Sequence, residues 1–237
     1  MCFSESQSYL NTLLLVLGGI YKINNYRLSI PLFFLAIKDL IQGLLYHYID
    51  VIKINNLLTK LSWVHICFQP FIVNLLFSNF SLESSYYWNI ILFITFIYGI
   101  FTLFTLYDFN KNIKVCIKTD KKNDFCSLQT ISYLGNYHLG YRFKLTNDKT
   151  LVPILYLILM IIPALFTKSA ILSIIWVVFV IIIYILSRNN SYGETAAMWC
   201  FLSIIFFLPV SLYEEKIKSI LIEGNWKEIY RDKYKWV

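Results

Sequence analysis

The sequence predicts an all-α fold, a polytopic membrane bundle of about seven transmembrane helices, and three observations predict it. Apolar residues make up 58% of the chain and charged ones only 15%, too hydrophobic a balance for an ordinary soluble domain. The apolar runs are continuous and long enough for helices to cross a hydrocarbon layer roughly 30 Å thick, about twice the length of an alternating barrel strand. The basic residues behind the net charge of +7 sit in connections and in the tail. That placement argues for membrane orientation and against nucleic acid as a partner.

The expected spans are 9–21, 30–49, 57–78, 86–107, 151–167, 170–187 and 194–213. Residues 1–213 then form the membrane domain, with a long polar loop over 108–150, and 214–237 form a basic amphipathic tail. The opening MCFSESQS has no basic stretch and no cleavage site follows it, so the first span is expected to be its own insertion signal. The first and fifth spans are short and should extend, the first back toward Ser4. No internal repeat is visible, which weighs against an inverted-repeat transporter.

Seven spans place the two ends on opposite sides. Lys53, Lys60 and Arg188 fall on the N-terminal side, against nine basic residues on the other, among them Lys22, Arg27 and Lys168. The tail is therefore expected in the cytosol and the N-terminus outside or in a lumen. The loop over 108–150 carries eight basic residues of its own and runs against this rule. Its Cys116 and Cys126 would form a disulfide in a lumen and stay thiols in the cytosol; neither has a second ligand at zinc spacing. The stretch SYLGNYHLGYRF, 132–143, alternates apolar and polar residues and is expected at the headgroup boundary. The tail reads as an interfacial helix on anionic lipid, with Trp226, Tyr230 and Trp236.

Polar groups inside the apolar runs are the candidates for function. Asp39 lies near the middle of the second span, with Gln42 and Tyr46 three and seven positions on along the same face; Lys38 beside it points elsewhere. In the third span, LSWVHICFQPFIVN puts Ser62, His65 and Gln69 on one face, with Pro70 removing a backbone donor. His65 lies roughly 12 Å deep, at a depth comparable with Asp39 on an antiparallel neighbour. A carboxylate and an imidazole at that depth would share a proton or orient a metal or water. Glu194 opens the last span, where a helix N-terminus stabilises its charge; Trp199 and Ser203 share a face there, with Cys200 beside them. Cys67 and Cys200 read as packing residues.

The motifs MCFS, KDLIQGLLYHYID, WVHICFQPFIVN and ETAAMWCFLSI, with GNYHLGYRF as a fifth, resemble an uncharacterised family of seven-span membrane proteins found in large DNA viruses and microbes. By that resemblance Ser4, Asp39, Gln42, His65, Gln69, Asn74, His138, Glu194, Trp199, Cys200 and Ser203 are the positions to carry over. Where the resembled pattern often has glutamate, this chain has Asp39. The resemblance implies a host or virion membrane and brings no activity with it.

The expected centre is thus Asp39 and His65, with Gln42, Gln69, His138, Glu194 and Ser203 as binding residues for a lipid, a small ligand or an ion. A metal, zinc among them, would be held by Asp39, His65 and His138, although three histidines and no paired-histidine motif make a thin ligand set. Enzymatic activity is left open. The competing readings are a transporter or channel with the cluster along a polar path, or a structural component whose polar groups only pack the bundle.

Overall fold

The computed structural model describes residues 4–80, 85–106, 129–135, 138–144, 155–161, 167, 170–187 and 204–223. The described chain is mainly helical: α1 Glu5–Tyr21, α2 Tyr26–His47, α3 Ile52–Ser78, α4 Ser85–Leu103, α5 over 155–161, α6 Ala170–Ser187, α7 over 204–212 and α8 Glu214–Glu223. Three helices are long and apolar enough to cross a membrane, Tyr26–His47, Ile52–Ser78 and Tyr86–Leu103, and a shorter apolar stretch runs over Leu172–Ile183. α1, the expected first span, has 17 residues. Parts of the expected fifth and seventh spans lie outside the described residues, as do Cys116, Cys126, Glu194, Trp199, Cys200, Ser203 and the end of the tail.

The expectation of an all-α chain needs one correction. Inside the long polar loop, β1 Ile131–Leu134 and β2 Leu139–Arg142 pair antiparallel, with Ser132 opposite Tyr141 and Tyr133 opposite Gly140. The alternation that suggested a segment at the headgroups is the period of a strand. Leu139, Tyr141 and Phe143, every second residue, are fully buried against the helices, in one core cluster with Leu45, Trp63, Cys67 and Leu106. Gly140 leaves room for the Tyr133 ring, against which any Cβ at that position would collide.

Ser4 caps α1, its hydroxyl accepting from the Gln7 amide at 3.2 Å. α1 packs along α2 and α2 along α3. The first pairing is close because Gly43 has no side chain: a Cβ there would stand 2.7 Å from the Tyr9 ring. α3 runs unbroken through Pro70.

Two ends of the bundle can be told apart. At one, the Glu214 carboxylate joins three parts of the chain: Oε2 receives Lys22 Nζ at 3.1 Å, and Oε1 receives Asn25 Nδ2 at 2.9 Å, Asn79 Nδ2 at 2.8 Å and Lys218 Nζ at 2.6 Å. Arg27 adds a bond to the Ser78 carbonyl at 3.1 Å. At the other end His47 meets Glu5 at 3.2 Å, and the hairpin docks on the start of α3.

That docking runs through Asn55. Its amide accepts from the Ser132 N–H at 2.8 Å and donates to the Ser132 carbonyl at 3.0 Å, as a neighbouring strand would. Thr59 bonds the Ser132 hydroxyl at 2.7 Å, and Asn56 donates to the Thr130 carbonyl at 2.7 Å.

Candidate functional site

Phe34, Lys38 and Gln42 recur every four residues and lie along one face of α2, with Asp39 next to them. Lys38 is 0% exposed, Asp39 1%, Gln42 0%, and His65 on α3 4%. No snorkelling takes the lysine to water. Its ammonium donates to the Tyr141 hydroxyl at 2.8 Å and stands 4.3 Å from that ring's centroid. Gln42 Nε2 donates to the same hydroxyl oxygen at 3.1 Å. Tyr141, from the hairpin, thus stops the top of the α2 face.

His65 faces the same stripe one turn lower. Its ring stacks on Phe34 at 3.7 Å, and Nε2 lies 2.8 Å from the Phe34 carbonyl oxygen. A carbonyl only accepts, so Nε2 carries the proton and the neutral ring keeps its lone pair on Nδ1. Neither ring nitrogen hydrogen-bonds Asp39; Nδ1 is buried without a partner, as are Gln42 Oε1 and the Ser62 hydroxyl. Lys38 is near enough to His65 for its charge to act on the ring. The site is therefore not the carboxylate–imidazole pair expected from depth alone. It is a buried set on α2 and α3 in which Lys38 and Gln42 share the Tyr141 hydroxyl, and in which Gln42 Oε1, Ser62 Oγ and His65 Nδ1 have no hydrogen-bond partner among the described residues.

The other expected residues divide. Gln69 is buried but turned to α5, where the Tyr156 hydroxyl donates to its Oε1 at 2.5 Å. Asn74 likewise ties α3 to α5, giving Nδ2 to the Leu159 carbonyl at 3.0 Å and to Pro70 at 2.7 Å. Tyr46 is half-buried at the rim. His138 is buried in the hairpin turn, where its carbonyl receives the Gly135 amide at 2.7 Å, and burial lowers its imidazole to a pKa of about 4. Among the described residues no three His, Cys, Asp or Glu side chains come together in a group that would hold a metal ion.

Sequence reasoning set aside Lys38 and did not find Tyr141, Asn55 or Glu214. Asn55, Asn56 and Thr59 at the start of α3 and the alternating aromatics of the hairpin were the available signals. A lysine inside a long apolar run was a third, since intramembrane cations face the bundle interior.

Over residues 14–222 the chain matches the family described as "Family of unknown function (DUF5765)". No curated protein and no solved structure shows a significant match to it.

Proposed function

The chain belongs to the DUF5765 family, whose function is unknown, and from that premise we propose a multi-pass membrane protein whose site between α2, α3 and the hairpin binds a small polar ligand or ion. The observation that carries this reading is the unmet hydrogen bonding of Gln42 Oε1, Ser62 Oγ and His65 Nδ1 beside the buried Lys38 and Asp39. Each such buried atom costs about 1–3 kcal/mol. A cluster kept only for packing would close its bonds across the helices, as the Gln69 oxygen does with the Tyr156 hydroxyl. Two of the three open atoms are acceptors. The ligand therefore brings donors: a hydroxyl, an amine, a protonated water or a hydrated cation.

Membrane residence is supported by the outward faces of the helices, where Phe93, Phe101, Ile174 and Ile185 are 61–65% exposed. Seven crossings are supported by parity. The α1 start, the α2–α3 turn and the hairpin share one end; the α1–α2 turn, the end of α3 and Glu214 share the other. An odd number of crossings would then separate Glu5 from Glu214, and crossings at α5, α6 and α7 after α4 would bring the number to seven. On the basic-residue count, the Glu214 end is the cytosolic one.

The test is thermal unfolding of the full chain in phosphatidylcholine nanodiscs against small alcohols, amines, and monovalent and divalent cations, with Ser62→Ala and His65→Phe beside the wild type. Binding that raises the unfolding temperature of the wild type and is lost in both variants supports the site. If no compound acts on the wild type, or if the variants respond equally, the proposal fails.

A further inference from the structure

At the hairpin end of the bundle, apart from the buried site, an open groove of about 460 Å³ runs between the start of α3 and the hairpin. Lys53 and Lys60 line it from α3 and Lys144 from the chain just after β2, with Asn56, Gln129 and Thr130 between them. Among the described residues, no acidic one lines it. α3 begins beside it at Ile52 with no side-chain cap on its first turn, so the positive end of that helix adds to the three ammonium groups. On the adjoining face of α3, at the same height, Ile54, Leu57 and Leu61 are 37–58% exposed.

We propose that this groove binds a phosphate group, and that the apolar strip beside it on α3 fits the phosphate to a lipid. Three lysines from two segments match a phosphate's charge, and Asn56, whose Nδ2 gives one hydrogen to the Thr130 carbonyl, has a second to offer. The groove sits at the end of α3 and reaches Lys60 two turns further along, about 12 Å, which covers a headgroup layer of roughly 5–8 Å and meets the edge of the hydrocarbon. An acyl chain lying along Leu57 and Leu61 would continue from it. The inference rests on the membrane reading above but not on the Lys38–His65 site, so it stands or falls separately from the ligand bound there.

The experiment uses the full chain in nanodiscs of phosphatidylcholine alone or with phosphatidic acid, and inorganic phosphate added to the first kind. Retention of phosphatidic acid through detergent exchange is read by mass spectrometry, together with the unfolding temperature. The wild type should retain phosphatidic acid, and Lys53→Gln, Lys60→Gln and Lys144→Gln together should weaken retention about tenfold or more. The three arginine replacements should preserve it and certify that the groove folds. An equal loss of charge in the tail, at Lys227, Lys233 and Lys235, should leave it unchanged. A response to inorganic phosphate that vanishes with the groove lysines, without lipid retention, would keep the phosphate site and assign it to a soluble source. Retention lost with the tail variant alone, or unchanged in the groove variant, or no response to either phosphate, overturns the proposal.

Discussion

Ser132 and Tyr141 stand directly opposite each other across the hairpin, so the contact that holds one fixes the height of the other. Asn55 grips the Ser132 backbone from α3, and Tyr141 then reaches Lys38 and Gln42 on α2. A segment of the polar loop is in this way made part of the buried site.

Asn55→Ala removes both bonds to the Ser132 backbone along with the acceptor for Thr59. At about 1 kcal/mol for each net bond, with a buried strand edge left open, a loss of about 2–3 kcal/mol is expected. The hairpin should also become cleavable, so limited proteolysis checks the outcome: protection of the 129–144 segment equal to wild type would refute it.

Tyr141→Phe leaves the Lys38 ammonium and the Gln42 amide without their shared acceptor, and should destabilise by about 3 kcal/mol. Lys38→Met placed on top should recover part of that loss, since a buried cation without its partner is worse than none. A double-mutant cycle on the unfolding temperature measures the coupling, and additive effects would separate the two side chains.

Ser62→Ala should leave stability unchanged or raise it, by up to about 1 kcal/mol, because the buried hydroxyl it removes has no partner. Loss of stability at this position would mean that Ser62 is bonded in the folded protein. That result would also weaken the reading of an open site.

Burial alone would raise the Glu214 carboxyl, but the bonds from Asn79, Lys218 and Lys22 hold it below the ordinary carboxylate value. The contribution of Glu214 is then present above the unfolded carboxylate pKa and is lost as pH falls through the lower folded value. Glu214→Gln should narrow the gap in unfolding temperature between neutral and acidic pH. A full gap in the variant would assign the acid sensitivity to another group.

His138 has the same sign for a different reason. Burial lowers its pKa to about 4, so the unfolded hairpin takes up a proton from about pH 6.5 downward while the folded one does not. Its stabilisation is complete above pH 6.5 and declines until about pH 4. Hydrogen exchange of the Gly135 amide should quicken over that window in the wild type and not in His138→Gln.

Local pattern in the sequence was enough for the helices of the first half. The apolar runs put α2, α3 and α4 within a few residues of their observed bounds, and Asp39, Gln42, His65 and Gln69, the polar residues singled out within those runs, are buried. Helical spacing tells which residues share a face. It does not tell which neighbour that face meets, and so Gln69 was grouped with His65 although it bonds Tyr156 on α5.

What the chain determined by itself is a pattern: long apolar runs, polar residues at a few inner positions, and cations at the ends. Tertiary structure decided the partners. Lys38 and Tyr141 are 103 positions apart, Asn55 and Ser132 are 77, and Lys22 and Glu214 are 192. Each pairing depends on how the packed helices and the hairpin set one side chain against another, and nothing in the spacing of residues along a single helix records that.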